Sequence, residues 1–375
     1  MKNILIIFGT RPEIIKLAPV ILEFKKHQKD FRITICNTEQ QKDLSIQTLK
    51  FFDLCPDISL DVMEFNQDLV TLQAKIMSNL NILGKNNSFD GIIVQGDTMS
   101  AFCGALFGFL KSIPVFHIEA GLRSNNLKEP FPEEGLRQMI SRIATLNFAP
   151  TAIDGNCLKN ESIAKKSIIV TGNTVIDALF CLPKKELEKA RKYFEGKKIK
   201  IDDKLVLITA HRRENHGSKL DDIIKAIKIL SSNFPDHNFI IPTHPNPNVY
   251  DKINQHLSAI TNIFLEEPLS YPNLVFLMKK AKLIITDSGG IQEEAPSFGC
   301  PVLVIRGKTE RTDGIKIGIA KLVGTKTEKI VKESKKILGL KKKDSRINIF
   351  KNPYGDGKAS ARILLSIKDF FSKKL

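Results

Sequence analysis

The feature that most constrains this chain is a short apolar run that stops at a glycine and gives way at once to a helix-period segment. Ile4 to Ile7 lead into Phe8-Gly9-Thr10-Arg11-Pro12-Glu13-Ile14-Ile15-Lys16, and Ile14, Leu17, Ile21 and Phe24 then recur on one helical face. A run this short and continuously apolar reads as a buried strand of a parallel sheet. The turn after it has two readings. Arg11 and Lys16 beside a helix N-terminus suit a bound anion, while Thr10-x-x-Glu13 is equally a capping box with Pro12 at home in the first turn.

The same unit recurs along the chain. Strands are predicted at Asn3 to Phe8, Gly91 to Gln95 and Pro114 to Ile118, then at Leu205 to Thr209, Asn238 to Pro242, Leu283 to Thr286 and Pro301 to Ile305, with helix-period segments between them. This alternation predicts an α/β fold with two doubly wound, Rossmann-like domains. Val170-Thr171-Gly172-Asn173-Thr174 reads as a crossover, and Lys184 to Lys204 as an exposed helix plus loop, which sets the boundary near Thr171. The domains are then 1–170 and 171–358, with a last helix over 359–375. Two such domains facing one another would put their ligand loops across a shared cleft.

Composition narrows the partners. Lys and Arg number 57 against 41 Asp and Glu, a net charge of +16 that suits a polyphosphate ligand, nucleic acid or an anionic membrane. Lys341-Lys342-Lys343 and Lys373-Lys374 carry no interleaved aromatics, the pattern of a solvated surface and not of nucleic-acid binding. Ile4 to Phe8 is too short for a signal sequence and no apolar run approaches the ~20 residues of a membrane span, so no membrane association is expected. The six cysteines are dispersed without a Cys-x-x-Cys pair, which argues against disulfides and a zinc site and for the cytoplasm. No Gly-x-Gly-x-x-Gly fingerprint follows a strand and no metal-ligand cluster is visible, so neither a nicotinamide cofactor nor a metal is expected.

Asp287-Ser288-Gly289-Gly290 lies between a strand and a helix, where backbone N–H groups and the Ser288 hydroxyl can cradle a diphosphate; an ordinary turn capped by Ser288 fits as well. Glu294 can accept hydrogen bonds from two ribose hydroxyls, and Glu293 is expected only to favour the helix start. Asp97, Glu119 and Glu133 each follow a strand or open a helix. Singly each is a cap or a surface charge; together on one sheet edge they form a set able to keep one acid protonated and another ionised. His211, followed by Arg212 and Arg213, is suited to stabilising a departing phosphate, and His117 reads as a supporting residue.

Gly96-Asp97-Thr98, His117-Ile118-Glu119-Ala120-Gly121-Leu122-Arg123, Pro132-Glu133-Glu134, Thr209-Ala210-His211-Arg212-Arg213-Glu214-Asn215, Asp287 to Glu294 and Asn352-Pro353-Tyr354-Gly355-Asp356-Gly357 occur in this order. With the opening turn, they resemble the non-hydrolysing UDP-N-acetylglucosamine 2-epimerase family over essentially the whole chain. The resemblance implies the glycosyltransferase-B architecture, with the last helix returning to the first domain, a homodimer, no cofactor, and UDP-N-acetylglucosamine and UDP as ligands. It implies Asp97, Glu119, Glu133 and His211 as catalytic residues. It implies substrate contacts from Arg11, Lys16, Arg137, His244, Ser288, Gly289, Gly290, Glu294 and Arg311.

The reaction consistent with these residues is cofactor-free inversion at carbon 2 by loss and re-addition of UDP through 2-acetamidoglucal. The alternatives are a hydrolysing epimerase releasing free N-acetylmannosamine, a glycosyltransferase of the same fold, and a non-catalytic polyanion-binding module. The chain departs from the family pattern in places. Thr312-Asp313 follow Thr309-Glu310-Arg311 where relatives have Pro-Glu, and Leu269 and Leu274 stand near the expected uracil contacts. Gln41-Lys42 replace the His-Arg pair of a substrate-activator site found in bacterial relatives, so weak or absent activation is expected.

Overall fold

A computed structural model describes residues 1–64, 66–197, 199–210, 212–243, 247–340 and 352–373. The chain divides into two compact units, Met1–Cys181 with Tyr354–Leu375, and Leu182–Pro353.

The first unit is built on a seven-stranded sheet, all parallel, in the order β3-β2-β1-β4-β5-β6-β7. The strands are β1 (Lys2–Phe8), β2 (Phe31–Asn37), β3 (Ile58–Ser59), β4 (Gly91–Gln95), β5 (Val115–Ile118), β6 (Leu146–Ala149) and β7 (Ile168–Val170). Ile4 to Phe8 are completely buried because helices cover both faces of the sheet. Helix α1 (Arg11–Lys25) turns Ile14, Leu17, Ile21 and Phe24 inward, as the spacing predicts. The other helices of this unit are α2 (Lys42–Phe51), α3 (Leu69–Asn86), α4 (Met99–Leu110), α5 (Glu133–Ile143), α6 (Ala152–Asn160) and α7 (Thr174–Cys181). The C-terminal helix, Ala359–Ser372, also belongs here. Its Phe370 and Phe371 rings stand edge-on to Phe116 at 5.5 and 6.0 Å, and Asp177 accepts its Ser360 N–H at 2.8 Å.

The second unit carries a six-stranded parallel sheet in the order β10-β9-β8-β11-β12-β13. Its strands are β8 (Leu205–Thr209), β9 (Asn238–Pro242), β10 (Ile263–Glu266), β11 (Leu283–Thr286), β12 (Val302–Val304) and β13 (Ala320–Leu322). The helices that bear on the argument are α8 (Lys184–Gly196), α11 (Tyr271–Lys280) and the single-turn α12 (Gly289–Glu294). The charged stretch predicted as exposed does form α8, but Ala190 and Phe194 are buried and Phe194 stacks on Phe276 of α11 at 6.0 Å. Its exposed face is charged; its other face is core.

Both sheets reverse their winding direction once. In the first the reversal falls between β1 and β4, in the second between β8 and β11. Loops leaving neighbouring strands at such a point diverge to opposite faces and open a crevice, the place where ligands bind in this class of sheet. Four of the motifs singled out in the sequence follow β1, β4, β8 and β11, and Glu119 follows β5, the neighbour of β4.

Candidate functional site

In the first unit, Gly9 follows β1 with no room for a side chain. A Cβ there would stand 2.1 Å from Thr38 Oγ1 and 2.3 Å from Ser100 Oγ. The capping box forms as read: one Glu13 oxygen accepts the N–H of Gly9 at 3.0 Å, and the N–H and hydroxyl of Thr10 both at 2.8 Å. Its other oxygen accepts the Thr98 hydroxyl at 2.7 Å. Burial pushes the Glu13 carboxyl up to about 7 against the pull of these bonds. Arg11 is half-buried and gives its backbone N–H to Gln41 Oε1 at 3.1 Å.

After β4, Gly96 takes a φ of 72°, and the His117 ring donates from Nε2 to its carbonyl at 2.8 Å. Burial brings His117 down to about 4, so the ring is neutral where it braces this turn. Asp97 follows, and Arg137 of α5 donates to its Oδ2 from Nε at 2.9 Å and again from its second terminal nitrogen. The remaining arm of Arg137 reaches Glu134 Oε2 at 3.2 Å. Burial of Glu134 works to raise its carboxyl, but the Ser124 N–H, the Gln138 amide and Arg137 hold it below the usual range.

Glu119 directly follows β5 in the left-handed region at φ 65°, a conformation that costs a non-glycine residue and is found preferentially at functional positions. Its carboxylate accepts from Lys16 of α1, from Gln95 at the end of β4 and from Asn173 Nδ2, the last at 3.2 Å. Glu133 opens α5, and its Oε2 is buried and accepts no hydrogen bond from the described residues. Two of the three carboxylates are thus ion-paired, whereas the third has an oxygen whose hydrogen-bonding capacity is unused.

In the second unit, the Thr209 and Thr286 hydroxyls join the ends of β8 and β11 at 2.5 Å. Asp287 Oδ2 accepts the Arg212 N–H at 2.8 Å and the Asn215 amide at 3.0 Å, which ties the two motif loops together. Ser288 opens α12 without spending its hydroxyl on a cap, so the capping reading of this serine fails and the hydroxyl is left for another partner. A Cβ on Gly289 would meet the Arg311 guanidinium carbon at 3.0 Å, so the arginine lies directly over the glycine turn. Glu293 holds it there, accepting from Arg311 Nε at 2.9 Å; its role is larger than favouring a helix start. The Tyr271 hydroxyl donates to Glu294 Oε1 at 2.9 Å and orients that carboxylate. Burial and the neighbouring charges of Arg306 and Arg311 lower the Arg212 guanidinium, a sign of concentrated positive charge. His211 and His244 lie outside the described residues.

In the first unit Lys16, Asp97, Glu119 and Arg137 are joined by ion pairs around the ends of β1, β4 and β5, and in the second the glycine turn after β11 lies under Arg311, itself held by Glu293. Sequence reasoning missed Gln95, Asn173, Glu134 and Tyr271. Gln95 carried a usable signal, a polar residue closing an apolar strand; Asn173 was visible only as part of a crossover.

The UDP-N-acetylglucosamine 2-epimerase family model matches residues 23–368. The chain is 41% identical over 373 residues to the UDP-N-acetylglucosamine 2-epimerase of Campylobacter jejuni, covering 97% of each chain. The crystal structure of the Neisseria meningitidis UDP-GlcNAc 2-epimerase bound to UDP-GlcNAc superposes with a TM-score of 0.88 at 41% identity, over 98% of this chain and all of that one. The Methanocaldococcus jannaschii enzyme, solved in complex with UDP-GlcNAc and UDP, gives 0.82 at 31% identity, over 98% of this chain and 100% of its own.

Proposed function

This chain belongs to the UDP-N-acetylglucosamine 2-epimerase family, and from that premise we propose how its residues divide the work. The reaction is the epimerisation of UDP-N-acetylglucosamine at carbon 2, an isomerisation. The hydrogen there is not acidic without a neighbouring carbonyl, so direct deprotonation is a poor route. Elimination avoids it: the anomeric carbon–oxygen bond breaks with its electron pair leaving on UDP, a carboxylate takes the carbon 2 proton, and the C–H electrons form the double bond of 2-acetamidoglucal. Re-addition of UDP with protonation of carbon 2 on the other face gives UDP-N-acetylmannosamine without release of free sugar.

The observation that carries this reading is the unequal state of the three carboxylates. Asp97 is ion-paired with Arg137 and Glu119 with Lys16, whereas Glu133 keeps a buried oxygen that accepts no hydrogen bond from the described residues and so is open to a reacting group. Asp97, Glu119 and Glu133 supply the proton transfers, and His211 stands by the leaving phosphate. In the second unit, Ser288, Gly289 and Gly290 receive the diphosphate under Arg311, and Glu294, oriented by Tyr271, receives the ribose. Arg11, Lys16, Arg137 and His244 complete the substrate contacts.

The enzyme works in the cytoplasm, in keeping with six unbridged cysteines, and its product feeds surface-polysaccharide synthesis. Among the described residues, no helix is long and apolar enough to cross a membrane. It acts as a homodimer. Helix α4 has no charged residue, its Phe109 and Leu110 are 56% and 64% exposed, and Ile82 of the neighbouring α3 is 55% exposed. In a chain of net charge +16, a helix without charged residues of its own that exposes apolar side chains is where two copies meet with least repulsion.

Incubation with UDP-N-acetylglucosamine in heavy water, followed by proton NMR, tests the reaction. Deuterium at carbon 2 together with UDP-N-acetylmannosamine is the expected result. Free N-acetylmannosamine would assign a hydrolase instead, and an unchanged spectrum would remove the reading.

A further inference from the structure

The crossover at Gly172-Asn173 and the return segment at Tyr354-Gly355 take no part in the chemistry above, yet they meet. The Asn173 N–H donates to the Tyr354 carbonyl at 2.7 Å. A Cβ on Gly355 would stand 3.3 Å from Asn173 N, and one on Gly172, at φ 93°, would stand 3.4 Å from Gly355 Cα. Backbone is packed on backbone here, at the point where the chain re-enters the first unit.

Asn173 is 2% exposed, and its amide is fixed at both ends. Its Oδ1 accepts the Val175 N–H at 3.0 Å in the first turn of α7, so Nδ2 is the end that donates to Glu119 Oε1. Glu119 also accepts from Gln95 and from the charged Lys16, the latter on a flexible four-carbon stem. A short, buried amide locked by backbone on both sides sets a direction that such a lysine does not.

We propose that Asn173 is a positioning residue for the Glu119 carboxylate, held in place for that purpose by the return segment Tyr354-Gly355. The inference rests on the reading of Glu119 as a proton-transfer group. It gives the crossover a task in catalysis beyond joining two units.

Asn173→Asp separates this role from a structural one. Aspartate is nearly isosteric and keeps the acceptor for Val175 N–H, so the start of α7 survives, but it presents a carboxylate where Glu119 received a donor. The new charge stands against the Glu119 carboxylate, which also pairs with Lys16, while His117 of β5 is neutral. The expected result is a kcat reduced by roughly tenfold or more with KM within about threefold of the parent, the acid limb of the kcat–pH profile moved up by about one unit, and a thermal midpoint near the parent's. Asn173→Ser, which also keeps a capping oxygen, should lose kcat without the pH displacement, and it serves if the aspartate variant does not fold. Gly355→Ala, crowding Asn173 N, should lower kcat in the same sense. Parental kcat and pH profile in folded Asn173→Asp or Asn173→Ser would overturn the proposal, and a parental kcat in folded Gly355→Ala would overturn the part played by the return segment. Absence of carbon 2 deuteration in the parent itself would instead strike the underlying reading of the reaction.

Discussion

The Thr98 hydroxyl donates to the buried Glu13 carboxylate at 2.7 Å, so a single side chain joins the turn after β1 to the turn that carries Asp97. The same hydroxyl accepts the Ala101 N–H at 3.0 Å and thereby also starts α4. The two loops flanking the switch point of the first sheet are braced by a group that titrates near neutrality.

Stability therefore depends on pH through Glu13. Its folded value of about 7 lies above the ordinary 4.5, so its contribution is fully present below about pH 4.5 and is lost as pH rises through 7. From this group the parent loses on the order of 3 kcal/mol across that window. Glu13→Gln cannot ionise, and its urea midpoint should fall less than the parent's between about pH 5 and about pH 8. Parallel curves for the two proteins would count against this assignment.

Removing the acid function of any member of the trio should be severe. Asp97→Asn, Glu119→Gln and Glu133→Gln are each expected to cut turnover by roughly 10²–10⁴-fold while UDP still binds, measured by deuterium incorporation at carbon 2. Near-native turnover in all three would dismiss the proton-transfer scheme.

Nucleotide binding should fail at the glycine turn for two different reasons. Gly289→Ala places a methyl 3.0 Å from the Arg311 guanidinium carbon and displaces it, whereas a Cβ on Gly290 would stand 4.0 Å from Ser288 Oγ, and the larger side chain of Gly290→Val would crowd the hydroxyl proposed for the diphosphate. Both variants, and Glu294→Ala, should weaken UDP in calorimetry by tenfold or more, as loss of charge-assisted or bidentate contacts does. UDP binding at parental affinity in all three would move the nucleotide elsewhere.

Activation by substrate should be weak or absent. Lys42 could have replaced the missing cations of the activator site, but it is committed to Asp61 at 2.7 Å and to Glu39 at 3.4 Å. Gln41 accepts from the Arg11 backbone and Gln40 from Ser100. The reverse reaction from UDP-N-acetylmannosamine alone should begin without a long lag; a lag abolished by a trace of UDP-N-acetylglucosamine would show the second site to be intact.

The sequence by itself determined the parallel α/β class and the turns from which the candidate site is built. A strand, its glycine and the helix that follows are contiguous, so apolar periodicity and turn chemistry suffice to read them; all seven predicted strands form. It did not yield β2, β3, β6, β7, β10 or β13, which are short, less uniformly apolar, or set by pairing with a neighbour and not by their own pattern. Strand order, and with it the switch points, belongs to tertiary structure, since packing between distant segments fixes which turns become neighbours. The partners of each functional group were decided there too: Glu119 and Asn173 are 54 residues apart, and Asp97 and Arg137 are 40 apart. Composition shows that a carboxylate exists at a sheet edge. Only the folded chain decides whether a cation, an amide or nothing stands against it, because that depends on rotamers and backbone meeting across elements the sequence lists far apart.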